Sequence, residues 1–250
     1  MSELTRHAVV TGGGSGIGAA IAAAFDAAGM HTTIMGRKQE KLEQTAAGLK
    51  KASVAAVDVS DPDNVAEVFA SLTSPVDILV NNAGVAPSAP FHRHSLADWH
   101  NTFAVNTHGA FYCTQSVIGG MVERNAGRVI NIASTSAQIG YAYVAAYCAS
   151  KHALLGLTRA LATEYANKDI TFNAICPGFA ETEILSESVD NIVSKTGRSE
   201  DQARAALAAN NPQKRFIQPE EVAAAAMWLI SHEARSVTGQ AISISGGEVT

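Results

Sequence analysis

Short apolar runs bounded by Gly, Asp, Asn or Pro alternate along the chain with longer stretches whose apolar residues recur at helical spacing. His7–Thr11, His31–Met35, Val54–Val57, Asp77–Asn81, Arg128–Ser134, Ile170–Cys176 and Ala241–Ser245 predict seven strands. Gly18–Gly29 carries Ala, Ile and Phe at helical spacing, and Gln39–Lys50 alternates charge in helical fashion. Asp98–Arg124, Tyr147–Asn167 and Pro219–Ser231 predict further helices. Strand and helix in repetition imply parallel strands joined by right-handed crossovers. The predicted fold class is therefore α/β, a single doubly wound domain over residues 1–250. Its seven-stranded, mostly parallel sheet would carry helices on both faces, and ligands of such sheets sit outside the carboxyl ends of the strands.

Residues 183–211 depart from this rhythm. The segment is rich in Ser, Glu, Ala and Asn, reads as helical, and lies between a predicted strand end and Pro212. A helical insertion there would overhang the carboxyl edge of the sheet. Long insertions at that edge tend to be functional, which favours a small substrate lid over a merely solvated helix pair.

Composition narrows the class of protein. Of the 250 residues 47% are hydrophobic and 16% charged, as in compact domains that need no disulfide or metal staple. A formal charge of −5 provides no basic field, so neither nucleic acid nor an anionic membrane surface is an expected partner. Cys113, Cys148 and Cys176 make no CxxC pair and no metal-ligand spacing, as for small buried thiols in a reducing compartment. Cys148 adjoins Tyr147, but no base partner marks it as a nucleophile. His92, His94 and His100 are too loosely spaced for a metal site, and none is expected. The first residues lack the apolar core of a signal peptide, and Val129–Ser150, though free of charge after Val129, carries too many polar groups for hydrocarbon. The expectation is a soluble cytoplasmic protein.

Chemistry begins at Thr11-Gly12-Gly13-Gly14-Ser15-Gly16-Ile17-Gly18, between the first strand and the first helix. Glycines let backbone turn tightly and approach a pyrophosphate, while the helix N-terminus presents N–H groups and a positive dipole end. The spacing is G-x-x-x-G-x-G, which is neither G-x-G-x-x-G nor a Walker loop. The second strand ends Met35-Gly36-Arg37-Lys38, with no acid before Glu40. A carboxylate there would bind both ribose hydroxyls of NAD, whereas Arg binds a 2′-phosphate. Arg37 therefore favours NADP(H) over NAD(H), the alternative being a solvated basic turn.

Tyr147 and Lys151 stand four residues apart and share one helical face. A phenol ionises near pH 10, and a neighbouring cation is expected to lower that value towards useful acid–base range. Tyr147 would then supply the proton that hydride reduction of a carbonyl requires. Ser134, at the end of the strand containing Val129-Ile130-Asn131-Ile132, would hold the substrate oxygen beside it.

Taken together, these motifs make the chain resemble the short-chain dehydrogenase/reductase family along essentially its whole length. The matching residues are Thr11-Gly12-x-x-x-Gly16-x-Gly18, Asp58-Val59, Asn81-Asn82-Ala83-Gly84, Asn106, Ser134, Tyr147-x-x-x-Lys151, Pro177-Gly178 and Thr182, in the family's order. The resemblance implies a Rossmann-type fold, a nicotinamide cofactor and ketone–alcohol interconversion. It implies Tyr147 as acid/base, Ser134 as polariser of the carbonyl, and Lys151 as binder of the nicotinamide ribose. Asn106 would hold a water linking Lys151 to solvent. The glycine-rich loop with Ser15 and Ile17 would cradle phosphate, Asp58 and Val59 would meet the adenine, and Asn82, Ala83 and Gly84 would line the cofactor. Pro177, Gly178 and Thr182 would reach the nicotinamide end. Such enzymes are commonly homotetramers, built on the two long helices and the last strand.

Within the family the chain looks most like 3-oxoacyl and polyketide ketoreductases and 3-hydroxyacyl or 3-hydroxybutyrate dehydrogenases. Hydroxybutyrate dehydrogenases place a cation three residues before the catalytic Tyr, where this chain has Val144. Thr135–Ala146 contains no Arg, Lys or His. A wall of Gln138, Ile139, Tyr141, Tyr143 and Val144 suits an uncharged substrate, such as a thioester or a cyclic ketone. Gln138 and Tyr141, with Ser134 and Tyr147, are the expected substrate contacts. Lys195, Arg198, Arg204, Lys214 and Arg215 would meet the phosphates of a CoA or carrier-protein arm, or simply form a solvated face. An esterase would need G-x-S-x-G, which is absent. A non-catalytic NADP(H) sensor on this fold usually lacks the Tyr or the Lys, and both are here.

Overall fold

A computed structural model describes residues 6–250. The strands are β1 (His7–Thr11), β2 (His31–Gly36), β3 (Ala52–Ala56), β4 (Ile78–Asn81), β5 (Gly127–Ile132), β6 (Ile170–Pro177) and β7 (Ala241–Ile244). They form one sheet in the order β3-β2-β1-β4-β5-β6-β7. Each of the six pairings is parallel. The order reverses between β1 and β4, which opens a crevice outside their carboxyl ends.

The helices are α1 (Gly16–Ala27), α2 (Gln39–Ala46), α3 (Pro62–Ala70), α4 (Leu96–Phe103), α5 (Gly109–Arg124), α6 (Ala145–Glu164), α7 (Glu183–Thr196), α8 (Glu200–Ala208) and α9 (Pro219–Leu229). The period-two alternation of the strands divides them between two cores. Ala8, Val10, Ile78, Val80, Ile130 and Ile132 pack with Ile21 and Phe25 of α1 and Val222, Ala226 and Leu229 of α9. Val9, Leu79, Val129 and Phe172 point to the other face, against Val65 and Phe69 of α3 and Cys113, Val117 and Met121 of α5.

Local chemistry moves several boundaries from those predicted. α2 stops at Ala46, because the Lys50 and Lys51 N–H groups donate to the Asp26 carboxylate at 2.9 and 2.6 Å instead of extending the helix. β5 ends at Ile132, since Ser134 begins a short 3₁₀ turn over Thr135–Ala137. The helix expected over Asp98–Arg124 is two helices joined by a π-turn at Ala104–His108. Such turns interrupt the regular ladder and recur at functional sites. Asn106 lies inside this one.

Residues 183–211 fold as the packed helix pair α7 and α8, with a hydrophobic cluster of Leu185, Val189 and Ala203 backed by Phe179, Ile192, Leu207 and Phe216. Val129–Ser150 divides into β5, a loop and the first turns of α6. No helix among the described residues is long and apolar enough to cross a membrane.

Candidate active site

The carboxyl ends of β1, β4, β5 and β6 open into a cleft of about 370 Å³. Its lining includes Ile17, Asn82, Gly84, Ser134, Tyr141, Val144, Tyr147, Lys151, Pro177, Gly178 and Thr182, with Ile184, Leu185 and Leu207 of the α7–α8 pair. Residues far apart in sequence thus meet where the topology opens. Among the described residues, Lys151 is the only charged side chain in the lining.

At one end lies the glycine-rich loop. Gly12 and Gly16 adopt φ values of +63° and +52°, which side chains resist. A Cβ on Gly12 would approach Asn82 Nδ2 to 2.9 Å, so this glycine also makes room for the amide that ties the loop down. That amide donates to Thr11 O at 3.0 Å and Gly12 O at 3.1 Å. Ser15 opens α1 without a side-chain cap, leaving the first N–H groups of the helix for a ligand. A positive-φ cradle and an uncapped helix start are the features a cofactor pyrophosphate needs, so the residues fit a dinucleotide.

Arg37 follows β2 and is exposed at the same end. It is near enough to Asp58 to help hold that carboxyl below its ordinary pKa, behind the larger effect of the Ser60 hydroxyl. Val59 is buried, with its side chain against Gly109 at the start of α5. Glu183, the first residue of α7, sits over the loop in a 2.5 Å pair with Lys41. Its pKa is lowered chiefly by Lys41, with a further contribution from the Ser15 hydroxyl.

At the other end, Lys151 is 3% exposed and donates from Nζ to Ile132 O at 2.8 Å. Its ammonium lies 5.7 Å from the Tyr147 ring centroid. Burial pulls the Lys151 pKa down to about 8. Burial also pushes Tyr147 up to about 12, with the Ser134 hydroxyl acting in the opposite sense. The expectation that Lys151 lowers the phenol's pKa is not met: burial dominates the shift, and Lys151 is not among the groups that move it. The phenol is held protonated, as a proton donor must be.

Asn106 lies at the root of the site. Its side chain accepts from Val85 N and donates to Val85 O, both at 2.9 Å, and donates to Ser150 Oγ at 3.0 Å. The amide therefore clamps the loop after β4 to α6. A Cβ on Gly84 would lie 3.4 Å from Asn106 Oδ1 and 3.6 Å from Lys151 Nζ, ordinary contact distances that place this glycine beside both side chains. Ala83 donates its N–H to Thr11 Oγ1 at 3.1 Å, joining β4 to β1.

The comparisons with known proteins bear on this geometry. The family model described as short chain dehydrogenase matches residues 6–193. The chain is a short-chain dehydrogenase. It is 37% identical over 249 residues to an acetoacetyl-CoA reductase of Rhizobium meliloti, covering 98% of this chain and 99% of the relative. A D-beta-hydroxybutyrate dehydrogenase of the same organism is 32% identical, with 98% of each chain covered. A solved actinorhodin polyketide ketoreductase variant with NADPH superposes at a TM-score of 0.93 with 35% identity, covering 98% of this chain and 97% of that one. This short-chain dehydrogenase is accordingly an NAD(P)-dependent oxidoreductase that interconverts a ketone and a secondary alcohol.

Not every expected contact of the dehydrogenase lies in the cleft. Gln138 accepts from Ser243 Oγ at 3.0 Å, and neither it nor Ile139 belongs to the lining. The Thr135–Ala137 turn carries both side chains past the opening. Arg204 is bound to Glu181 at 2.6 Å and stacked over Phe216, and Arg215 is bound to Glu221 at 2.6 Å. Two of the five cations named for a phosphate arm are thus already paired. Cys148 is buried and accepts from Tyr141 N at 3.4 Å. No cluster of His, Cys, Asp and Glu fit for a metal occurs among the described residues.

Sequence reasoning overlooked Phe179, Ile184, Leu185 and Leu207 as walls of the cleft, and Glu248 behind Tyr141. The helical period of 183–211 held a signal for Ile184, Leu185 and Leu207; Phe179 and Glu248 had none.

Proposed function

We propose that this enzyme reduces a 3-oxoacyl thioester, or a related uncharged 3-oxo group, with NADPH, and runs the reverse oxidation when mass action favours it. The observation that carries this reading is the cleft lining, in which Lys151 stands alone among apolar and neutral polar side chains. A free carboxylate would find no cation at the Val144 wall. The similarity to an acetoacetyl-CoA reductase and a polyketide ketoreductase supports the same substrate class.

Tyr147 is the acid, Ser134 the donor to the carbonyl oxygen, and Lys151 the cation beside them. Gly12, Ser15, Gly16, Ile17 and Gly18 would hold the cofactor pyrophosphate, and Arg37 the 2′-phosphate. Asp58 and the Val59 backbone would meet the adenine. Asn82, Ala83, Gly84, Pro177, Gly178 and Thr182 would line the remainder, with Tyr147 and Lys151 at the nicotinamide ribose. The bound nicotinamide supplies the hydride. As charge develops on the substrate oxygen, Ser134 donates to it and Tyr147 gives up its proton, both from positions set before reaction. Lys151 stabilises the phenolate left behind, and Asn106 keeps the loop after β4 in place for proton return. The α7–α8 pair acts as a lid over the acyl chain.

Phe91, Leu96, Trp99 and Phe111 are exposed apolar residues on or beside α4 and α5, which supports assembly into a homotetramer through those helices. Three unpaired buried thiols fit a cytoplasmic setting. The test is initial rates with acetoacetyl thioesters, cyclic ketones and secondary alcohols against NADPH, NADH and their oxidised forms. Highest kcat/KM for a 3-oxoacyl thioester with NADPH is expected. Preference for NADH would refute the role of Arg37, and turnover confined to cyclic ketones would refute the substrate class.

A further inference from the structure

Tyr141 lines the cleft beside Ser134 and Tyr147, and its hydroxyl is fully engaged behind the wall. The oxygen lies 2.7 Å from Glu248 Oε1 and 2.8 Å from Thr135 Oγ1. A phenol has one proton and a carboxylate only accepts, so Tyr141 donates to Glu248 and the Thr135 hydroxyl donates to Tyr141. Tyr141 therefore has no proton left to offer a ligand. Glu248 also approaches the wall from behind a second cleft residue, since a Cβ on Gly178 would sit 3.0 Å from Glu248 Oε2.

This carboxylate is held by a built turn. Gly246 and Gly247 adopt φ values of +62° and +91°. A Cβ on Gly246 would come within 2.7 Å of Asn211 Nδ2. Asn211 is 6% exposed, accepts from Gln213 N at 2.7 Å and donates to Arg215 O at 2.8 Å. The Glu248 N–H closes the turn on Ser245 O at 3.2 Å. Among the described residues, Glu248 makes no ion pair.

We propose that Glu248 is a specificity-determining positioning residue which, through Tyr141 and Gly178, gives the substrate wall a negative charge and no hydrogen-bond donor, so that the enzyme rejects free 3-oxo acids in favour of their uncharged esters and thioesters. The proposal rests on the 3-oxoacyl reading above and adds the group that enforces it. A substrate carboxylate at this wall would be desolvated, unpaired and next to a like charge.

The test is binding of acetoacetate and of methyl acetoacetate to the NADP⁺-loaded enzyme, measured by calorimetry so that no turnover is needed. Wild type is expected to bind the ester more tightly. Glu248→Gln keeps an acceptor for Tyr141 and removes the charge, and should narrow the acid-to-ester ratio by roughly tenfold, the scale of one partly screened like-charge contact. Its ester affinity should stay within about twofold, since an uncharged ligand has no like-charge contact to lose and the Gln amide oxygen still accepts from the Tyr141 hydroxyl. Tyr141→Phe retains the carboxylate and should retain rejection of the acid. Equal wild-type affinities, an unchanged ratio in Glu248→Gln, or loss of discrimination in Tyr141→Phe would each overturn the assignment of Glu248 while leaving the 3-oxoacyl reading intact. If neither ligand binds and no thioester is reduced, the 3-oxoacyl reading fails, and this proposal with it.

Discussion

The floor of the cleft, made by β5, β6 and α6, holds its polar groups through buried hydrogen bonds, whereas α7 and α8 are fastened largely by partners at the surface. Lys151 Nζ to Ile132 O, Asn106 to Ser150 and Asn131 to Thr158 are all buried contacts. The helix pair is held by Lys41–Glu183, Arg204–Glu181 and the bond from Asn191 Nδ2 to Ser88 Oγ, around a cluster separate from the main cores. An exposed pair such as Lys41–Glu183 contributes about 1 kcal/mol or less. The proton-transfer groups are thus built into the most stable part of the fold, and the substrate cover into a part able to open without disturbing them.

Replacing Lys151 breaks the floor side of this comparison most severely. Lys151→Met should lower kcat/KM by roughly 10³-fold, the scale of losing a proton-transfer partner. It also carries a signature in stability. The Lys151 pKa falls from 10.5 in the unfolded chain to about 8 in the fold. Between those values the unfolded chain keeps a proton that the fold has released, so stability rises with pH there and is lost as pH falls through 8. The difference in unfolding free energy, wild type minus Lys151→Met, should therefore increase from pH 8 to 10.5 by on the order of 3 kcal/mol. Denaturant titrations across that range check it; a flat difference would mean Lys151 is not desolvated.

The lid side answers to a cavity. Leu185 is 2% exposed within the α7–α8 cluster. Leu185→Ala should cost about 2 kcal/mol of local protection, the lower end for such truncations because a small cluster can collapse. Hydrogen exchange should quicken in α7 and α8 and stay unchanged in β5 and α6, while substrate KM rises severalfold. Accelerated exchange throughout would show that lid and floor are one cooperative unit. The smallest effect belongs to Glu183→Gln. Loss of this exposed pair should leave the melting temperature within about 2 °C, and should lower the KM for NADPH by roughly two- to threefold as a like charge leaves the phosphate loop.

What the sequence reveals depends on how local each feature is. The glycine loop, Tyr147 with Lys151, and the strand His7–Thr11 are set by neighbours within a few positions, and all are legible. The π-turn at Ala104–His108 is not, because its cause is tertiary: Asn106 is clamped between Val85 and Ser150. Gln138 reads as a pocket residue by proximity to Tyr147, yet a single turn after Ser134 directs it to Ser243. Helical spacing brings Lys151 near Tyr147 but carries no information about solvation, which decides the pKa of both. Glu248 meets Tyr141 across 107 positions, beyond any local pattern.

The most direct test of the account is single-turnover oxidation of NADPH by an acetoacetyl thioester in wild type and Tyr147→Phe, with NADPH affinity measured alongside. Removing the protonated phenol, whose pKa burial holds at about 12, should slow turnover by roughly 10²–10⁴-fold and leave NADPH affinity within about twofold. Turnover at the wild-type rate would contradict Tyr147 as the acid.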